Sequence, residues 1–257
     1  VTADAGHPTL DPISWNFWIN QFLFGVYPYI ALSVMIVGSI VRFDREQYTW
    51  RTGSSQLLRR RQLAWGSNLF HIGILFLLLG HAVGLLTPHR IYSQLISAES
   101  KQMLAIVAGS IAGTVCFVGL VLLMHRRFFD ARIRRTSTFS DNAILVILFV
   151  QLLLGLVTVP FSLAHGDASA MLRLSAWAQG ILTFEPGVAA YVRGLDWPYQ
   201  VHLVLGLTIF LLFPFTRLVH MLSAPVWYLA RRGWQVVRTA PPDMTPRGEI
   251  PLRLPAE

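Results

Sequence analysis

Five stretches of predominantly apolar residues divide the chain, near Phe22–Val41, Leu63–Leu86, Met103–Met124, Ala143–Ala164 and Tyr199–Leu222. Each reaches the length of about 20 residues that an α-helix needs to cross a bilayer, and core helices of water-soluble domains rarely do. The pattern predicts an all-α integral membrane protein built as a bundle of five transmembrane helices. Residues 1–21 read as an N-terminal arm, 22–222 as the membrane domain and 223–257 as a tail. The arm lacks the basic start of a signal peptide, so the first span is expected to act as an uncleaved anchor. In the longest connection, between the fourth and fifth spans, Met171–Phe184 has helical spacing and is expected to lie along the membrane interface.

Composition agrees with that reading. Of 257 residues, 54% are hydrophobic and only 13% charged, where soluble domains carry about 25% charged residues. The net charge of +8 could suggest a nucleic-acid partner, but the distribution of the basic residues argues otherwise. They concentrate in Arg42–Gln62, in the connection holding Arg126, Arg127, Arg132, Arg134 and Arg135, and in the tail after the last span. The alternate connections hold only Arg90, Lys101, Arg173 and Arg193. By the positive-inside rule the N-terminus lies outside and the C-terminus in the cytoplasm. The arginines are then topology anchors and a cytoplasmic docking face, with no nucleic-acid role. Cys116 is the single cysteine, which excludes an internal disulfide and any multi-cysteine zinc or iron–sulfur site.

The chemistry resides in ionisable groups inside the spans, where such side chains are costly and mark functional sites. Four of the eight histidines qualify: His71 and His81 in the second span, His202 and His220 in the fifth. His7, His89, His125 and His165 fall at span ends or in connections. Because the two spans run in opposite directions, His81 and His202 share one depth and His71 and His220 another. On continuous helices the rises are about 15 Å and 27 Å, which sets two centres roughly 20 Å apart. Each pair offers two axial nitrogens to one metal-centred cofactor, which is how haem is held in helix bundles. Zinc would require a third protein ligand or water, and no carboxylate lies at these depths. No CxxCH motif is present, so the haem would be non-covalent. Gly66, Gly73 and Gly80 recur every seven residues and share a helix face with Gly84 nearby. That face admits two readings, close approach of a flat ring or small-residue helix packing. Arg217, one turn before His220, is a candidate partner for a haem propionate or a cytoplasmic anchor. Pro214 is expected to kink the fifth span.

The runs NLFHIGILFLLLGH (Asn68–His81), YIALSVMIVGSIVRFDREQYTWR (Tyr29–Arg51) and HLVLGLTIFLLFPFTRLVH (His202–His220) resemble the membrane cytochrome b (gamma) subunit of respiratory nitrate reductase, over roughly Asn16 to Ala240. The resemblance implies a diheme, quinol-oxidising subunit of the bacterial inner membrane. It assigns His81 and His202 to a distal b haem near the outer face and His71 and His220 to a proximal one. It implies a quinol site beside the distal haem, formed by Lys101 in the outer connection before the third span together with Gly80 and the edge of His81. The substrate would be menaquinol or ubiquinol. The implied partners are a cytoplasmic iron–sulfur (beta) subunit and a molybdenum (alpha) subunit that reduces nitrate. Other classes are a cytochrome b subunit of a formate dehydrogenase or hydrogenase, a transporter, or a non-redox scaffold. A transporter should show inverted repeats or intramembrane carboxylates, and neither is present in the sequence.

Overall fold

A computed structural model of the chain describes residues 15–50, 58–164 and 166–223. The first fourteen residues of the expected arm (His7 among them), His165 and the tail from residue 224 lie outside the described residues. Among the described residues all regular structure is helical, and five helices are long and apolar enough to cross a membrane: Asn16–Arg45, Arg60–Leu86, Ala98–Phe129, Phe139–Ala164 and Trp197–Phe215. The chain is a multi-pass membrane protein.

The first four helices overrun the apolar windows, because the polar residues that flank a window can continue the helix into the interface. The third begins at Ala98 with Ser97 as its N-cap, the Ser97 hydroxyl accepting from the Ser100 N–H at 3.2 Å. The first begins at Trp15, inside the expected arm, and holds a π-helical turn over Phe22–Val26. Trp177 donates its indole N–H to the Phe24 carbonyl of that turn at 2.8 Å. Trp177 lies on the connecting helix Ser169–Thr183, close to the expected Met171–Phe184.

The fifth span departs from expectation. Its α-helix ends at Leu212, a 3-10 turn covers Phe213–Phe215, Thr216 is extended, and a second 3-10 segment runs Arg217–Ser223. Pro214 lacks an N–H, so the α-helical ladder cannot pass through it. His220 therefore sits beyond the apolar helix, on a segment of different pitch, and the 27 Å rise expected of one continuous helix does not apply.

Packing decides the role of the glycines. A Cβ on Gly73 would stand 2.6 Å from the Cβ of Cys116, and one on Gly119 would strike the backbone of Phe70 and Gly66. The second and third spans thus meet backbone to backbone at Gly66, Gly73 and Gly119, over a core containing Cys116, Leu120 and Leu152. Gly80 and Gly84 face open space. The second span packs on the third and on Ser169–Thr183, while the fifth packs on the first and fourth. The two histidine-bearing spans make at most marginal backbone contact. Apolar side chains such as Ile36, Leu75, Phe76 and Ile111 point outward, as expected for a lipid-facing surface.

Candidate paired-imidazole site

The described structure brings His71, His81, His202 and His220 together in two pairs. The rings of His81 and His202 lie 6.1 Å apart, centroid to centroid, with 30° between their planes. Those of His71 and His220 lie 6.3 Å apart with planes at 70°. Two imidazoles binding opposite faces of one metal ion, with each nitrogen about 2 Å from it, have ring centres about 6 Å apart. The spacing in both pairs therefore fits one metal-centred group held between them.

Hydrogen bonding selects the ligating tautomer at three of the four rings. Nδ1 of His71 donates to the Ser67 carbonyl at 2.7 Å, that of His81 to the Leu77 carbonyl at 2.7 Å, and that of His220 to the Arg217 carbonyl at 2.5 Å. A carbonyl can only accept, so Nδ1 carries a proton, and in the neutral ring the lone pair is then on Nε2. An N–H···O=C bond at the far nitrogen also fixes the ring and raises its basicity as a ligand. His202 differs. Its Nδ1 is buried without a partner, and the Gln151 amide lies 3.3 Å from its Nε2 while donating to its backbone carbonyl at 3.1 Å. Gly155 leaves room for this ring, since a Cβ there would be 3.1 Å from His202 Cε1. Gln151 went unnoticed in the sequence, where one amide in an apolar run carries no periodic signal.

Among the described residues no three His, Cys, Asp or Glu side chains converge as a metal-binding group. A protein-only zinc cage is thus not assembled there. Haem needs only two protein ligands, because the porphyrin supplies the other four nitrogens, so the residues present fit the group.

Lys101 lies in the first turn of the third span, not in the connection before it. It is 8% exposed, its Nζ donates to the Gly84 carbonyl at 2.9 Å, and it stands 3.7 Å above the Tyr92 ring. The aromatic face and the carbonyl compensate a cation removed from water. Tyr92 was not foreseen. It is buried with its hydroxyl unpartnered, and its ring meets that of His89 at 5.0 Å. Burial, assisted by the Glu99 carboxylate, pushes its phenol above the ordinary range, so it remains a hydrogen-bond donor. Gly84 is one turn from Gly80, on the side left open beside His81.

Arg217, a candidate for a propionate partner or a cytoplasmic anchor, directs its Nε to Asp141 of the fourth span at 2.7 Å. Arg127 stands 3.7 Å from the other oxygen of that carboxylate.

The family model described as nitrate reductase gamma subunit matches residues 20–240. The chain belongs to this family. It is 48% identical over 221 residues to the respiratory nitrate reductase 1 gamma chain of Escherichia coli (strain K12), covering 86% of this chain and 98% of that protein. It is 39% identical over 213 residues to the nitrate reductase gamma chain of Bacillus subtilis (strain 168), covering 82% and 95%. The nitrate reductase-like protein NarX of Mycobacterium tuberculosis is 33% identical over 217 residues, which are 83% of this chain but 33% of NarX. All four paired histidines and Lys101 lie inside the span matched by the gamma-subunit model.

Proposed function

We propose that the chain is the diheme cytochrome b subunit of a quinol-oxidising nitrate reductase complex. The observation that carries this reading is the two imidazole pairs, with ring centres 6.1 Å and 6.3 Å apart, in a chain of the gamma-subunit family. His81 and His202 would hold the distal haem, and His71 and His220 the proximal one. Bound there, the haems supply one-electron carriers at two depths of the membrane.

The chain's own residues prepare the site. The Nδ1 bonds of His71, His81 and His220 fix the three rings and leave Nε2 of the neutral tautomer as the ligating nitrogen. Lys101, Gly80 and the edge of His81 form the quinol site. The Lys101 ammonium exchanges its bond to the Gly84 carbonyl for one to a quinol oxygen, and the open side of Gly80 admits the ring. Oxidation of a quinol, menaquinol or ubiquinol, to the quinone releases two electrons and two protons. With the arginine-rich side in the cytoplasm, the protons leave on the outer side and the electrons travel inward. They pass to a cytoplasmic iron–sulfur (beta) subunit docked on the basic face, and then to a molybdenum (alpha) subunit that reduces nitrate. Arg217, its Nε on Asp141, is read as a tether for the His220 segment and as a candidate partner for a haem propionate.

The test uses the chain co-purified with its partner subunits under anaerobic conditions. A reduced quinone analogue should generate b-type absorption, and nitrate should then reverse it. Reversal by another acceptor but not by nitrate would assign the chain to a different quinone-linked enzyme.

A further inference from the structure

We propose that Arg42 of the first span is a positioning residue for His220, clamping the broken end of the fifth span so that the His220 imidazole meets His71. The proposal rests on the reading of His220 as a haem ligand.

The break frees backbone carbonyls within the protein. The Phe213 carbonyl is taken by the N–H and hydroxyl of Thr216, and the Phe215 carbonyl accepts from Ser140 Oγ at 3.4 Å. The remaining two, from Pro214 and Thr216, both accept from Arg42 Nη1, at 2.7 Å and 2.8 Å. The same guanidinium uses Nη2 on the Thr49 carbonyl at 2.8 Å and Nε on Thr49 Oγ1 at 3.2 Å. All four contacts are therefore made to neutral oxygens. A charge serving only as a topology anchor would need water or an anion instead. One turn before Arg42, a Cβ on Gly38 would stand 2.8 Å from Cγ of Pro214. The first span thus presents a matched face, a glycine against the proline ring and a guanidinium whose Nη1 meets the two carbonyls beyond it while Nε and Nη2 hold Thr49.

His220 follows Thr216 by four residues on a 3-10 segment, a rise of about 8 Å. Over so short a stretch, the placement of the Thr216 carbonyl fixes the register of the imidazole. His202 sits within unbroken α-helix and needs no such support. The clamp therefore acts on one histidine pair and not the other.

The test compares Arg42→Lys and Arg42→Gln in the assembled complex, counting haems per chain and titrating each haem's midpoint potential optically. Lysine keeps the charge but has a single donor nitrogen, which cannot hold Thr49 and the Pro214 and Thr216 carbonyls at once as the three guanidinium nitrogens do. Both variants should shift the potential of the His71–His220 centre or reduce two haems to one, with the His81–His202 centre at its wild-type potential. Wild-type potentials at both centres in Arg42→Lys, or equal shifts at both, would overturn the clamp. If Arg42→Gln does not accumulate in the membrane, Arg42→Lys alone decides. The haem count of the unaltered chain separates the two readings: a value near zero overturns the ligand assignment itself, and a value of two leaves the variants to judge the clamp.

Discussion

The imidazole of His81 faces that of His202 at 6.1 Å, across a space that neither helix fills with backbone contact. One ring is fixed by its own helix through the Leu77 carbonyl, and the other is approached by Gln151 from the fourth span. His81→Ala or His202→Ala should remove one haem of two and leave the centre on His71 and His220 reducible by an added donor. Haem-resolved optical titration checks this; loss of only the other haem would show that the pairing is wrong.

Lys101 is poised between the Gly84 carbonyl and the Tyr92 ring. Replacing it by Ala should lower kcat/KM for quinol oxidation by about 10²-fold, the lower range for a positioned donor or acid–base group. Both haems should be retained in the spectrum. Tyr92→Phe, which preserves the aromatic face under the ammonium, should be milder than Tyr92→Leu. Steady-state kinetics with a quinol analogue checks both, and unchanged kinetics in Lys101→Ala would remove it from the site.

Gly119 lets the third span meet Phe70 and Gly66 of the second without an intervening side chain. Gly119→Val should force the spans apart and destabilise the chain by about 1–3 kcal/mol. A lowered thermal midpoint in detergent, with haem lost at lower temperature, is the expected readout.

Asp130 caps the short helix Ala131–Arg135, accepting from the N–H groups of Arg132 and Ile133 at 3.0 Å and 3.2 Å, and pairs with Arg59 at 2.8 Å. The Ile133 N–H first, then the Arg132 N–H and the Arg59 charge, holds its carboxyl below the ordinary range. A depressed folded-state value stabilises the fold above the unfolded carboxyl's pKa, and that contribution disappears as pH falls through the folded one. Asp130→Asn keeps a capping oxygen but removes the charge. Thermal melts of the variant and the unaltered chain should therefore converge as pH falls through the carboxylate range and separate at neutral pH.

Much of this arrangement is legible in the sequence for one physical reason. Ionisable side chains are so costly in hydrocarbon that four histidines in apolar windows stand out, and helix direction then orders them by depth. The break in the fifth span was less visible. Hydropathy continues through Phe213, Pro214 and Phe215, and only the structure shows Thr216 extended and His220 on a 3-10 segment. The glycine face also divided in a way spacing could not foresee, with Gly66 and Gly73 against the third span and Gly80 and Gly84 open. Arg42 and Gln151 act through partners distant in sequence, and Tyr92 meets Lys101 only because the chain turns between two helices; a one-dimensional pattern shows arginine as charge, glutamine as an exception and tyrosine as interface.

The most direct measurement is the number of b haems on the purified, folded chain, from a pyridine haemochrome assay set against protein concentration. Two per chain is the predicted result. A colourless preparation with iron near zero would contradict the account.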